Sequence, residues 1–116
     1  MKFAYYGIYA QYFEVGRVEL LRSLGITYRE LEEMGFALPV VNYNIDYKRP
    51  AFYDDKLTIE TSIHEIPKVK IVFNYKTINE KGDLLNTAET TLVFVDSDTG
   101  KPCLPPDILI DKFKEI

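Results

Sequence analysis

The stretch that most constrains the fold is residues 8–24, IYAQYFEVGRVELLRSL. At a helical step of about 100° per residue, Tyr9, Ala10, Phe13, Gly16, Leu20, Leu21 and Leu24 form one broad apolar arc. Ile8, Tyr12, Val15 and Val18 add apolar groups on the other side. So little polar surface predicts a helix buried nearly all round, the kind that a sheet must wrap. Arg17 falls inside the arc. A lone buried guanidinium is too costly to stand, so it needs a partner, and Glu14 one turn earlier is the nearest candidate.

The rest of the chain supplies the cover. Residues 1–7 read as a short aromatic loop leading into the helix. Gly25 stops the helix in the C′ position. Thr27, with Glu30 three residues on, forms a capping box for a second, shorter helix that ends at Gly35. The period then changes to two. Val41, Tyr43, Ile45 and Tyr47 alternate with Asn42, Asn44, Asp46 and Lys48, as in a half-buried strand. Three more strands follow, from Leu57, from Lys68 to Ile78 and from Leu84 to Val95, separated by turns at Tyr53-Asp54-Asp55, Pro67 and Asn79-Glu80-Lys81-Gly82-Asp83. Pro102, Pro105 and Pro106 break the chain before a C-terminal helix from Asp107. The pattern is α+β, a single domain over residues 1–116 in which an antiparallel sheet curls over one long helix.

Composition narrows the function classes. With 47% apolar and 28% charged residues, the chain reads as an ordinary globular protein. No apolar run approaches the roughly 20 residues of a membrane span, and the start of the chain lacks a signal-peptide cleavage site. The net charge of −4, without a basic run, argues against nucleic-acid binding. A single cysteine, Cys103, excludes an intramolecular disulfide and a cysteine-rich metal site, which makes a cytoplasmic location the default. It reads as a small apolar residue in a Pro-rich loop.

The runs YYGIYAQYFEVGRVELLRSLG and NYNIDYKRPAFYDDKLTIET, with Glu14, Arg17 and Glu19 on the helix and Arg49-Pro50-Ala51 and Asp55 after the next strand, resemble the hotdog-fold acyl-CoA thioesterases of the 4-hydroxybenzoyl-CoA thioesterase branch. The resemblance implies a hotdog fold, a long central helix wrapped by a curved antiparallel sheet. It further implies an acyl-CoA substrate, hydrolysis without metal or cofactor, and a homodimer or dimer of dimers with active sites at the subunit interface. The family motif opens with an Asp, carries a Gly three residues later, and ends in an aromatic and a His or Tyr at the helix entrance. Tyr5 and Tyr6 align with that last pair. The Asp then falls about two positions before Met1, and Lys2 stands where the family has Gly. The expectation is therefore either a longer native N-terminus, supplying the carboxylate and a first strand, or a member without them. A hotdog protein that binds an acyl-CoA or apolar ligand without cleaving it is the alternative function.

Thioester hydrolysis needs donors on the carbonyl oxygen and a base or nucleophile for the attack. Backbone N–H groups at a helix start are unpaired and sit at the positive end of the dipole, and the resemblance places Tyr6 N–H there with Gly7 beside it, and Tyr5 and Tyr9 against the substrate. Glu14 is the candidate base, against its simpler role as Arg17's partner. His64, the only histidine, could act as a base near neutral pH, but it lies on the polar face of a strand and reads first as a surface residue, as does Asp46. Asp54 and Asp55 read as turn residues. Coenzyme A carries phosphates, and the resemblance points to Lys68 and Lys70 as their ligands. The simpler reading of both is an edge-strand device against aggregation.

Overall fold

The computed structural model of the chain describes residues 8–52 and 54–114. Its elements are α1 (Ile8–Ser23), α2 (Tyr28–Glu33), β1 (Phe36–Ala37), β2 (Val40–Tyr47), β3 (Leu57–Ser62), β4 (Lys70–Asn79), β5 (Leu84–Val93), β6 (Val95–Asp96) and α3 (Asp107–Lys114). Strands β2-β5-β4-β3 form one antiparallel sheet in that order, and β1 and β6 form a small second one. The first seven residues, expected as a loop, lie outside the described set, as does Tyr53 of the turn at 53–55.

Helix α1 ends as its sequence dictates. Gly25 takes a φ of 85°, its N–H donates to Arg22 O, and the N–H of Ile26 donates to Leu21 O. This pair of bonds satisfies two carbonyls left open at the helix end. Thr27 then caps α2, its hydroxyl oxygen accepting from the N–H of Glu30 at 3.1 Å.

The burial of α1 differs from the expectation. Tyr9, Phe13, Arg17 and Leu21, spaced by four, form its buried stripe. Ala10, Gln11 and Glu14 are exposed, and Val15 is 58% exposed. In the single chain the helix is thus covered on one side only, because the sheet meets one face and no described element lies over the other. Gly16 sets how closely the helix can approach β3: a Cβ there would collide with Thr61 Oγ1.

On the sheet, Ile71, Phe73, Tyr75 and Thr77 of β4 face the helix, as strand alternation requires. Phe13 stacks on Tyr75 with ring centroids 4.4 Å apart. Strand β2 departs from its half-buried pattern. It is a sheet edge, and Val40, Val41, Tyr43 and Tyr47 remain 38–56% exposed. The fourth strand, expected to run to Val95, breaks at buried Phe94. That break lets β6 pair with β1, a short strand that period-two reading passes over.

Candidate active site

The start of α1 lies over one end of the sheet. Tyr9, only 1% exposed, has its ring 6.0 Å from that of Tyr47 at the end of β2, and also contacts Tyr12 and Phe13. Tyr47 is in register with Asn86, which pairs on its other side with Thr77. Asn86 and Thr77 are fully buried, and the Asn86 amide and Thr77 hydroxyl have no hydrogen-bond partner among the described residues. Buried polar groups are nearly always paired, so this unsatisfied pair is unusual. A polar residue at an inward strand position was its only trace in the sequence. Tyr5, Tyr6 and Gly7 lie outside the described residues.

Farther along α1 the expected ion pair is absent. Arg17 is 9% exposed. Its Nη1 donates to Tyr75 Oη at 3.1 Å, and the Tyr75 and Thr90 hydroxyls share a 2.7 Å hydrogen bond. Glu14 is exposed and is not within ion-pair distance of Arg17, because the guanidinium turns down into the sheet while the carboxylate stays at the surface. Burial works against the Arg17 charge, but the bond to Tyr75 and the nearby phenols of Tyr75 and Tyr28 outweigh it and hold its pKa above the ordinary arginine value. Burial likewise pushes the Tyr28 and Tyr75 phenols up, with the Arg17 charge opposing it in both and the Thr90 bond opposing it in Tyr75. Glu14, Arg17 and Tyr28 line one cavity of about 670 Å³.

A second cavity, of about 740 Å³, brings together Lys68, Lys70 and His64, with Glu65 and Glu89 in its wall. Lys70 alternates with Ile71, so this cavity is on the face of the sheet turned away from α1. Thr77 lies seven positions along β4 from Lys70, about 23 Å at strand rise. Within one chain, then, the lysines and the start of α1 stand at opposite ends of the sheet and on opposite faces. His64 is exposed and shares a 3.4 Å contact with the Ser62 hydroxyl. Asp46 pairs with Lys48 at the surface. Asp55 accepts a 2.8 Å bond from the N–H of Phe52, and so fixes the turn after the Arg49-Pro50-Ala51 segment. Burial, then Asp96, pushes the Cys103 thiol up, away from an activated nucleophile. Among the described residues no group of three His, Cys, Asp or Glu side chains could hold a metal ion, and no helix is long and apolar enough to cross a membrane.

A long helix laid on a four-stranded antiparallel sheet in the order β2-β5-β4-β3 is the hotdog architecture. The chain belongs to the thioesterase-like superfamily, whose family model matches residues 2–113. It is 32% identical over 111 residues to the acyl-CoA thioester hydrolase YbgC of Escherichia coli, covering 96% of this chain and 83% of that one. Against YneP of Bacillus subtilis the identity is 34% over 102 residues, covering 88% and 74% of the two chains. The solved DHNA-CoA thioesterase of Staphylococcus aureus superposes with a TM-score of 0.85 at 34% identity, over 99% of this chain and 76% of that one.

Proposed function

We propose that the chain is an acyl-CoA thioester hydrolase that releases a carboxylic acid and free coenzyme A. The observation that carries this reading is its similarity, over nearly its whole length, to a protein named for that activity and to a solved CoA thioesterase. In the reaction, water adds to the thioester carbonyl carbon, and the oxygen charge that develops is held by the N–H groups of Tyr6 and Gly7. The C–S bond then breaks, the sulfur leaves as thiolate and takes up a proton, and the acid remains. Glu14 is the proposed base. It is the first carboxylate on α1, about 9 Å of helix rise beyond Ile8. Tyr5 and Tyr9 flank the acyl group. The close packing of Tyr9 suits a wall, not a group that moves.

Lys68 and Lys70 are the proposed ligands of the coenzyme A phosphates. Their distance from the start of α1 favours a site made by two subunits. Antiparallel pairing of the exposed β2 edge with its counterpart in a second copy brings the Lys70 end of one sheet to the same end as the α1 start of the other, so that a long acyl-CoA would hold its phosphates on the outer face and pass around that end to the helix. Pairing would also cover Val40, Val41, Tyr43 and Tyr47. The homodimer, and any dimer of dimers, is proposed on that ground.

The test is thiol release from a panel of acyl- and aroyl-CoAs, for this chain and for one extended upstream. Turnover in either form is the expected result, with a loss of about 10²–10⁴ in kcat for Glu14→Gln. No release above background from either form, alongside saturable binding of the esters, would replace hydrolysis by ligand holding. A Glu14→Gln loss below threefold would move the base elsewhere.

A further inference from the structure

We infer, resting on the hydrolase function proposed above, that the groove between α1 and β3 holds the aliphatic tail of the acyl group. The substrate class is then a medium- to long-chain fatty acyl-CoA and not an aroyl or short-chain ester.

The groove follows from one missing side chain. Tyr12, Gly16 and Leu20 are spaced by four, so they stack along one side of α1. Two large side chains with none between them leave a notch. Ile59 and Thr61 of β3 form its other wall, and Val15 stands at its rim. Strand β3 is a sheet edge, so no further strand of the sheet closes the notch. The result is a cavity of about 420 Å³, within the range of small-molecule sites. Strand β2 lies at the opposite edge, so the β2 pairing proposed for the dimer leaves the groove free.

The lining selects hydrocarbon. Val15, Leu20, Ile59 and the Tyr12 ring supply apolar surface, and no cation lines the groove among the described residues, so an anionic ligand finds no counter-charge there. The Thr61 hydroxyl on its floor has no exposed surface, because Gly16 lies against it, and it offers a ligand no hydrogen bond. At the far end Glu19 is already paired with Arg22 at 3.0 Å. Val15, 58% exposed in the chain alone, is apolar surface that a seated tail would remove from water.

Position sets the length. Tyr12 lies four residues beyond Ile8 and Leu20 twelve, about 6 Å and 18 Å of helix rise. Carbon–carbon bonds of about 1.5 Å in an extended zigzag rise about 1.25 Å per carbon. A chain whose carbonyl sits at the start of α1 therefore enters the groove at about its fifth carbon and reaches Leu20 at about its fourteenth. The entry is continuous with the start of the helix, since the Tyr9 and Tyr12 rings meet edge to face with centroids 6.1 Å apart. A single aromatic ring or a four-carbon chain ends short of Tyr12 and gains nothing from the groove.

The experiment measures calorimetric dissociation constants of the full chain for S-butyl-, S-octyl-, S-dodecyl- and S-hexadecyl-CoA, thioethers that cannot be hydrolysed. A fully buried methylene is worth about fourfold in affinity, and one half-covered in an open groove about twofold. Dodecyl should therefore bind about 10² times more tightly than butyl, with little further gain to hexadecyl. Val15→Trp, which fills the rim, should cut the dodecyl-to-butyl ratio at least tenfold. If that variant fails to fold, Leu20→Trp decides, by ending the rise near the tenth carbon. A flat profile from butyl to dodecyl, as a polypeptide strand already lying along the β3 edge would give, overturns the assignment. So does a ratio that neither tryptophan changes. The thioethers need no turnover: the expected profile without hydrolysis of any acyl-CoA would sink the hydrolase function and leave the groove standing, whereas turnover with a flat profile would sink the groove alone.

Discussion

Replacing Gly16 by alanine isolates the closest approach of α1 to the sheet. In an exposed helix the change is stabilising by about 1 kcal/mol from helix propensity alone. Here the new Cβ collides with Thr61 Oγ1. Thr61 is β-branched and stiff about χ1 on its strand, so the helix must shift. Overpacking of this size costs about 1–3 kcal/mol, leaving a net loss of about 1 kcal/mol, or about 4 °C in melting temperature for a chain of this length. Thr61→Ala removes the colliding atom, a buried hydroxyl with no partner among the described residues. The nearest remaining neighbour on that side chain is then Cβ at 3.6 Å, ordinary contact. In that background Gly16→Ala should stabilise by about 1 kcal/mol, so the double-mutant cycle should show a coupling of about 2 kcal/mol. Urea unfolding followed by circular dichroism reads all four corners. If Gly16→Ala has the same sign and size in both backgrounds, the contact does not set the helix position.

Tyr75→Phe should cost about 1–3 kcal/mol, because it strands both Arg17 Nη1 and the Thr90 hydroxyl in the core; an unchanged urea midpoint would refute this. The Tyr43 phenol is pushed up to about 12 by burial, with Tyr47 and Tyr75 adding to it, while the unfolded chain titrates near the ordinary value of about 10. Between those values the unfolded state binds fewer protons than the folded one, so stability falls as pH rises through that window; urea midpoints at pH 9, 10 and 11 should decline, and a flat profile would contradict it. Lys68→Gln with Lys70→Gln should raise KM for acyl-CoA about tenfold with kcat within twofold, and added salt should shrink the difference. Val41→Lys on the exposed edge should turn a dimer into a monomer by light scattering, and a dimer that survives it would place the interface elsewhere.

The elements whose signal is local were legible in the sequence. Gly25 and Thr27 could be read as stop and cap because each acts on backbone groups within a few residues. The alternation of Ile71, Phe73 and Tyr75 named the inner face of β4, since burial on a central strand follows the pleat. Arg17 was different. Its proximity to Glu14 suggested an ion pair, yet its partner is Tyr75, 58 residues away, and periodicity carries no information about a side chain's reach across layers. Helix α1 and strand β2 read as more buried than one chain makes them, because an apolar period marks which way a side chain points and not what lies over it. In the site, β4 was expected from Lys68 but starts at Lys70, so Lys68 and Lys70 share a cavity through the bend before the strand and not through alternation, and the separation of that cavity from the start of α1 followed only from the strand order.

The aromatic packing around Phe13 has a practical consequence. The chain has nine tyrosines and no tryptophan, and Tyr43 and Tyr47 bridge α1 to the open sheet edge through ring contacts with Phe13 and Tyr9. Intrinsic ultraviolet emission is therefore free of an indole background, and two of its nine emitters, Tyr43 and Tyr47, stand on that edge. Burial of that edge or loosening of α1 should therefore change the tyrosine emission of unlabelled protein, and Tyr43→Phe with Tyr47→Phe identifies the part of the change that comes from the edge.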